Sequence, residues 1–76
     1  MLSACILIRS EHGRYGDVVE RVMQFKEVRK VFPVLGRYDI VLDVEVESFK
    51  ALGNLVIRFG RLSGVVFTET LVEVEM

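Results

Sequence analysis

Gly36-Arg37-Tyr38-Asp39-Ile40-Val41-Leu42-Asp43-Val44-Glu45-Val46-Glu47-Ser48 carries a turn, a strand and a helix start in one uninterrupted piece. From Tyr38 to Glu47 apolar and acidic residues nearly alternate. Tyr38, Ile40, Leu42, Val44 and Val46 fall on one face and Asp39, Asp43, Glu45 and Glu47 on the other, with Val41 as the exception. That is the period of a half-buried strand. Gly36 stands before it where a hairpin turn can require positive φ, and Ser48 follows it where a helix needs an oxygen to accept its first free N–H groups.

Working outward, Val28 to Leu35 reads as the strand that enters the hairpin. Pro33 lacks an N–H for the ladder and therefore places that strand at a sheet edge. Leu2 to Arg9 is a further strand with apolar residues on both faces, which predicts a central position. Between these two strands Tyr15, Val18, Val19, Val22 and Met23 recur at helical spacing, giving a first helix that ends near Lys26. After Ser48, the residues Phe49, Leu52, Val56 and Phe59 give a second amphipathic helix. Gly53 inside that helix costs roughly 1 kcal/mol relative to Ala, and a close approach to backbone would explain it. Gly60 and Gly64 stop the helix, and Val65 to Val74 alternates as a last strand with Thr68 and Thr70 on one face and Phe67, Glu69 and Leu71 on the other.

The order is strand, helix, strand, strand, helix, strand. It predicts an α+β, ferredoxin-like βαββαβ domain in which a four-stranded antiparallel sheet carries two helices on one face. The first and third strands are then central. The sheet face away from the helices is expected to present Cys5, Leu7, Val31, Leu35, Val41, Phe67 and Leu71 among Asp39, Asp43, Glu45, Glu69 and Glu73. Such a face is too apolar for bulk water and too charged for a dry core, so it is expected to pair with a second subunit.

Composition narrows the function. A chain of 76 residues forms one domain, and its small size favours association. It is 51% hydrophobic and 28% charged, which excludes a disordered tail, while its apolar runs fall far short of the ~20 residues of a membrane span. Met1 to Ile8 lacks the basic start of a secretion signal, so a cytoplasmic location is expected, with no membrane partner. Ten basic and eleven acidic residues leave a net charge of −1, and no global field draws the chain to nucleic acid. The third strand also places Asp39, Asp43, Glu45 and Glu47 where RNA-binding relatives of this fold place aromatic and basic groups.

Chemistry-bearing residues are sparse. Cys5 stands alone in an apolar run, which excludes an internal disulfide and a multi-cysteine metal site. The segment Ser10-Glu11-His12-Gly13 after the first strand has no thiol pair, and a single histidine is not a metal site. No motif joins His12, Cys5, Tyr38, Asp39 or Asp43 into an acid, base and nucleophile set, so no catalytic residues, metal or cofactor are assigned.

Two pieces taken together resemble a known family. Val34-Leu35-Gly36-Arg37-Tyr38-Asp39-Ile40-Val41-Leu42 and Leu62-Ser63-Gly64-Val65 with Thr68-Glu69-Thr70 are similar, in order and over nearly the whole chain, to the effector-binding (RAM) domain of the Lrp/AsnC (feast/famine) transcription regulators. Residues 1–76 then make a single RAM domain. The helix-turn-helix that accompanies it in full-length members is missing from this sequence, which suggests a stand-alone version with no direct nucleic-acid contact. The resemblance implies dimers that pair through their sheets, rings built from those dimers, and a free amino acid bound between them. Full-length Lrp/AsnC-type regulators are implied as further partners.

An amino acid needs donors for its carboxylate and acceptors for its ammonium. Backbone at Gly36, Arg37 and Tyr38, the Asp39 carboxylate, and the Thr68 and Thr70 hydroxyls supply both. Such residues also serve plain structural ends: Gly36 as a turn glycine, Asp39 as a turn cap, the threonines as strand formers. The expected function is an amino-acid effector-binding and oligomerisation module in transcription regulation. Two alternatives stand beside it: a small dimeric α+β-barrel enzyme, which would need a convergent acid–base pair, and an ACT-like sensor, which would bind near Ser10 to Gly16.

Overall fold

The computed structural model describes residues 1–74. Six elements follow in the expected order: β1 Leu2–Ser10, α1 Tyr15–Val22, β2 Val28–Pro33, β3 Ile40–Val46, α2 Phe49–Gly60 and β4 Val65–Val72. The strands form one antiparallel sheet in the order β2-β3-β1-β4. Pro33 thus lies in an edge strand, and the two strands with the richest apolar content, β1 and β3, are central.

Alternation sorts the side chains. Ile6 and Ile8 of β1 pair with Leu42 and Ile40 of β3, and all four are fully buried beneath the helices. Val18 and Val22 of α1 and Leu52, Leu55 and Phe59 of α2 close the core from above. Burying one such side chain contributes about 1.5–3 kcal/mol, so this single layer carries most of the apolar stabilisation. Ser48 caps α2 as its sequence position predicts, its hydroxyl accepting the Ala51 N–H at 3.1 Å.

Several local expectations are revised. Helix α1 ends at Val22, and residues 23–27 turn so that Phe25 packs edge-on to Phe59 with ring centroids 4.8 Å apart and the Arg58 guanidinium over it. The gain from burying that ring outweighs one further helical turn. Phe49, expected in the core, is 69% exposed, and Leu55 takes an inward position. Gly53 meets no close backbone, since nothing lies within 4 Å of the place a Cβ would occupy. Strand β4 stops at Val72 and does not reach Val74.

The hairpin also differs. Strand β2 stops at Pro33 and β3 starts at Ile40, so the connection is a loop over 34–39, closed by the Val34 N–H on the Asp39 carbonyl at 3.0 Å. A register shift between Val28 and Lys30 puts Val31 opposite Leu42, facing the helices, and Phe32 opposite Val41 on the open face. The shift reverses the expected side of Val31, and Leu35 projects fully exposed from the loop beyond the sheet. Tyr38 precedes the strand, so its side is not set by the alternation, and it falls on the open face with Phe67.

That open face carries Cys5, Leu7, Val41, Phe67 and Leu71, with Asp43 opposite Cys5 and Glu69 opposite Leu7. Phe67 and Leu71 are 48% and 50% exposed, whereas Ile6 on the other face of the same sheet is 0% exposed. The helices cover one face only.

Candidate functional site

The loop over 34–39 gathers at the end of the sheet where β1 finishes. Gly36 holds φ +140°, a conformation that costs little only without a Cβ. On one side the loop is fastened to β1. Asp39 donates its N–H to the Ile8 carbonyl at 2.9 Å, and its Oδ2 accepts the Ser10 N–H at 2.8 Å and the Ser10 hydroxyl at 3.2 Å. Arg9 Nη1 donates to the Arg37 carbonyl at 2.7 Å.

On the other side Tyr38 reaches β4. Its ring lies edge-on to Phe67, centroids 5.6 Å apart at 75°, and its hydroxyl donates to Glu69 Oε1. The hydrogen bond to Glu69, helped by partial burial and the negative charge of Glu69, raises the phenol's pKa, while Arg37 lowers it. Among the described residues, the N–H groups of Gly36, Arg37 and Tyr38 meet no protein acceptor. The loop therefore offers adjacent free donors beside a guanidinium, a setting suited to a carboxylate.

Gly36, Arg37, Tyr38 and Asp39 are thus brought together. Thr68 and Thr70 stand elsewhere: they pair with Ile8 and Ile6, on the helix side of the sheet, while Tyr38 lies on the open side. Thr70 Oγ1 is buried and lacks a hydrogen-bond partner among the described residues. Within one chain the sheet separates Tyr38 from the threonines. Ser10, Arg9, Phe67 and Glu69 belong to the loop's surroundings and were absent from the sequence-based set. Arg9 and Ser10 come beside the loop through the pairing of β1 with β3, and Phe67 and Glu69 through the pairing of β1 with β4.

The other chemical candidates stay dispersed. Burial, and secondarily the neighbouring Asp43, raises the pKa of the Cys5 thiol, which keeps it protonated and poorly nucleophilic. Among the described residues no three His, Cys, Asp or Glu side chains gather to hold a metal ion, and no helix is long and apolar enough to cross a membrane. A shallow cavity of about 700 Å³ lies at the far end of the open face, lined by Ser3, Cys5, Arg29, Asp43, Glu45 and Leu71 among others. It is remote from the loop and lies on the surface that a paired sheet would cover.

Residues 3–75 match the family model of the Lrp/AsnC ligand binding domain. The HTH-type transcriptional regulator FL11 of Pyrococcus furiosus is 29% identical over 69 residues, which are 91% of this chain and 46% of that protein. The chain therefore spans about half the length of the curated relatives it matches. Among solved structures, TTHA0845 from Thermus thermophilus is 31% identical with a TM-score of 0.94, covering 100% of this chain and 96% of that one. The feast or famine regulatory protein Rv3291c from M. tuberculosis, complexed with L-methionine, is 27% identical with a TM-score of 0.86, covering 100% of this chain and 52% of that one.

Proposed function

The chain belongs to the Lrp/AsnC ligand-binding domain family, and on that footing we propose that it is an amino-acid effector-binding and oligomerisation module acting in transcription regulation. The observation that carries the reading is the loop over 34–39, where free N–H groups of Gly36, Arg37 and Tyr38 adjoin a guanidinium on a segment pinned to β1. A carboxylate satisfies those donors, and the relative complexed with L-methionine makes a free amino acid the fitting ligand class.

Asp39 already serves Ser10 through Oδ2, so it contributes to the ligand's ammonium only through its second oxygen. Thr68 and Thr70 enter the same site from another copy of the chain, because the sheet parts them from Tyr38 within one copy. The open face, with Leu7, Val41, Phe67 and Leu71, supplies the first contact between copies, and the dimers so formed assemble further into a ring. Association with full-length regulators of the family follows as the route to transcription, in the cytoplasm, without direct contact of this domain with nucleic acid.

Titration calorimetry with each of the twenty amino acids, beginning with L-methionine, tests the reading alongside light scattering. A heat signal from at least one amino acid and an assembly larger than a monomer are expected. No heat from any of them, with a monomer at all concentrations, overturns it. A response that depends on Ser10 to Gly16 and survives changes at Gly36 to Asp39 would favour the ACT-like alternative.

A further inference from the structure

Carboxylates and guanidinium groups border the loop over 34–39 together, yet they do not pair with one another. Both carboxylates are engaged by uncharged donors: Asp39 Oδ2 by the Ser10 N–H and hydroxyl, and Glu69 Oε1 by the Tyr38 hydroxyl. The cations are Arg9 and Arg37. Among the described residues the ion pairs are Arg14 with Asp17 and Arg29 with Glu45, so neither Arg9 nor Arg37 has a carboxylate partner there.

Arg9 is the less expected of the two. It stands opposite Phe67 of β4, and its Nη1 donates to the Arg37 carbonyl at 2.7 Å. That bond holds the guanidinium against the main chain of the loop whose N–H groups at Gly36, Arg37 and Tyr38 are free among the described residues. A guanidinium carries five N–H donors in a fixed fork, and Arg9 uses only this one within the described chain. An arginine that merely meets water needs no such anchor. The charge of Arg37 is felt at the Tyr38 hydroxyl, whose pKa it lowers, so this second cation lies near the Tyr38 side of the loop.

We propose that the amino acid gripped by the loop is an acidic one, L-glutamate or L-aspartate, and that Arg9 determines this by receiving the side-chain carboxylate. The inference rests on the reading of the loop as an amino-acid site. The α-carboxylate satisfies the free N–H groups beside Arg37, which leaves the Arg9 guanidinium without a counter-charge. A second carboxylate supplies it, through N–H···O bonds to the unused part of the fork. The second oxygen of Asp39 stays available to the ammonium. An amide in the same place sets an NH2 donor against a donor and brings no charge, and an apolar side chain brings no acceptor at all.

Calorimetric affinities of L-glutamate and L-aspartate, set against L-glutamine, L-asparagine and L-methionine, test the assignment. Each acid is expected to bind about tenfold more tightly than its amide, the low end of what a hydrogen bond to a charged group contributes. Arg9→Gln keeps a donor for the Arg37 carbonyl and removes the charge, and it is expected to bring that ratio to about one. 2-Oxoglutarate carries the two carboxylates of L-glutamate without its ammonium and should bind more weakly. Equal affinity would make the ligand a plain dicarboxylate and overturn the acidic amino acid. No binding of any amino acid overturns the loop as an amino-acid site, and this inference with it. Neutral amino acids that bind as tightly as the acids, or an advantage of the acids that survives Arg9→Gln, overturn the role of Arg9 alone and leave the site standing.

Discussion

Oδ2 of Asp39 accepts both the main-chain N–H of Ser10, at 2.8 Å, and its hydroxyl, at 3.2 Å. The carboxylate therefore closes the end of β1 within the chain itself. Asp39→Ala strands a partly buried N–H and should lower stability by about 1–3 kcal/mol, the usual cost of removing a charged acceptor. Urea unfolding would show this as a lower midpoint at constant slope. Asp39→Asn, which keeps an acceptor oxygen, should recover most of the loss.

Thr70 offers the opposite balance. Its Oγ1 is buried and unpartnered among the described residues, so the hydroxyl's desolvation goes uncompensated in the isolated fold. Thr70→Val should leave stability unchanged or raise it by up to about 1 kcal/mol. The same variant should lose the calorimetric response to amino acid. A response that persists at full strength removes Thr70 from the ligand site.

Two glycines separate strain from space. Gly64 holds φ +96°, and a Cβ there would meet Val18 Cγ2 at 3.0 Å and Arg14 Cβ at 3.1 Å. Val18 is fully buried and cannot yield. Gly64→Ala should cost about 2 kcal/mol, seen as a fall in Tm of roughly 10 °C for a domain of this size. Gly53, in α2, has open space around it, and Gly53→Ala should raise stability by about 0.5–1 kcal/mol.

Cys5 gives the pH dependence. Its folded pKa is raised by burial and by Asp43, so the folded state keeps its proton after the unfolded thiol has lost it. The stabilisation is fully present below the unfolded thiol's pKa and is lost as pH rises through the folded one. Urea midpoints measured from neutral to strongly alkaline pH should fall across that window, and Cys5→Ala should flatten the early part of the fall. Tyr38, raised chiefly by its bond to Glu69, acts in the same direction at higher pH. Alkylation of Cys5 by iodoacetamide should be slow at neutral pH.

The fold was largely legible because period and punctuation agreed. Alternation in β1 and β3, Pro33 at an edge and Ser48 before α2 each pointed to one topology, and each is found there. What escaped were features that depend on tertiary contact. Phe25 leaves the helical pattern to reach Phe59, and the shift near Lys30 turns Val31 over, which no local period reveals. At the candidate site, Gly36, Arg37, Tyr38 and Asp39 were found together because they are adjacent in sequence. Ser10, Phe67 and Glu69 were missed because their relation to the loop is tertiary: Ser10 meets Asp39 across the β1–β3 pair, and Phe67 and Glu69 arrive with β4 beside β1.

The edge formed by β2 has one more effect. Pro33 offers no N–H there, and the shift between Val28 and Lys30 breaks the even spacing of the outer backbone groups. A further strand finds no regular ladder to join on that side. Any strand-to-strand addition must use the β4 edge, and two copies joined there would each present a blocked β2 edge outward. Growth by that route would end at two copies.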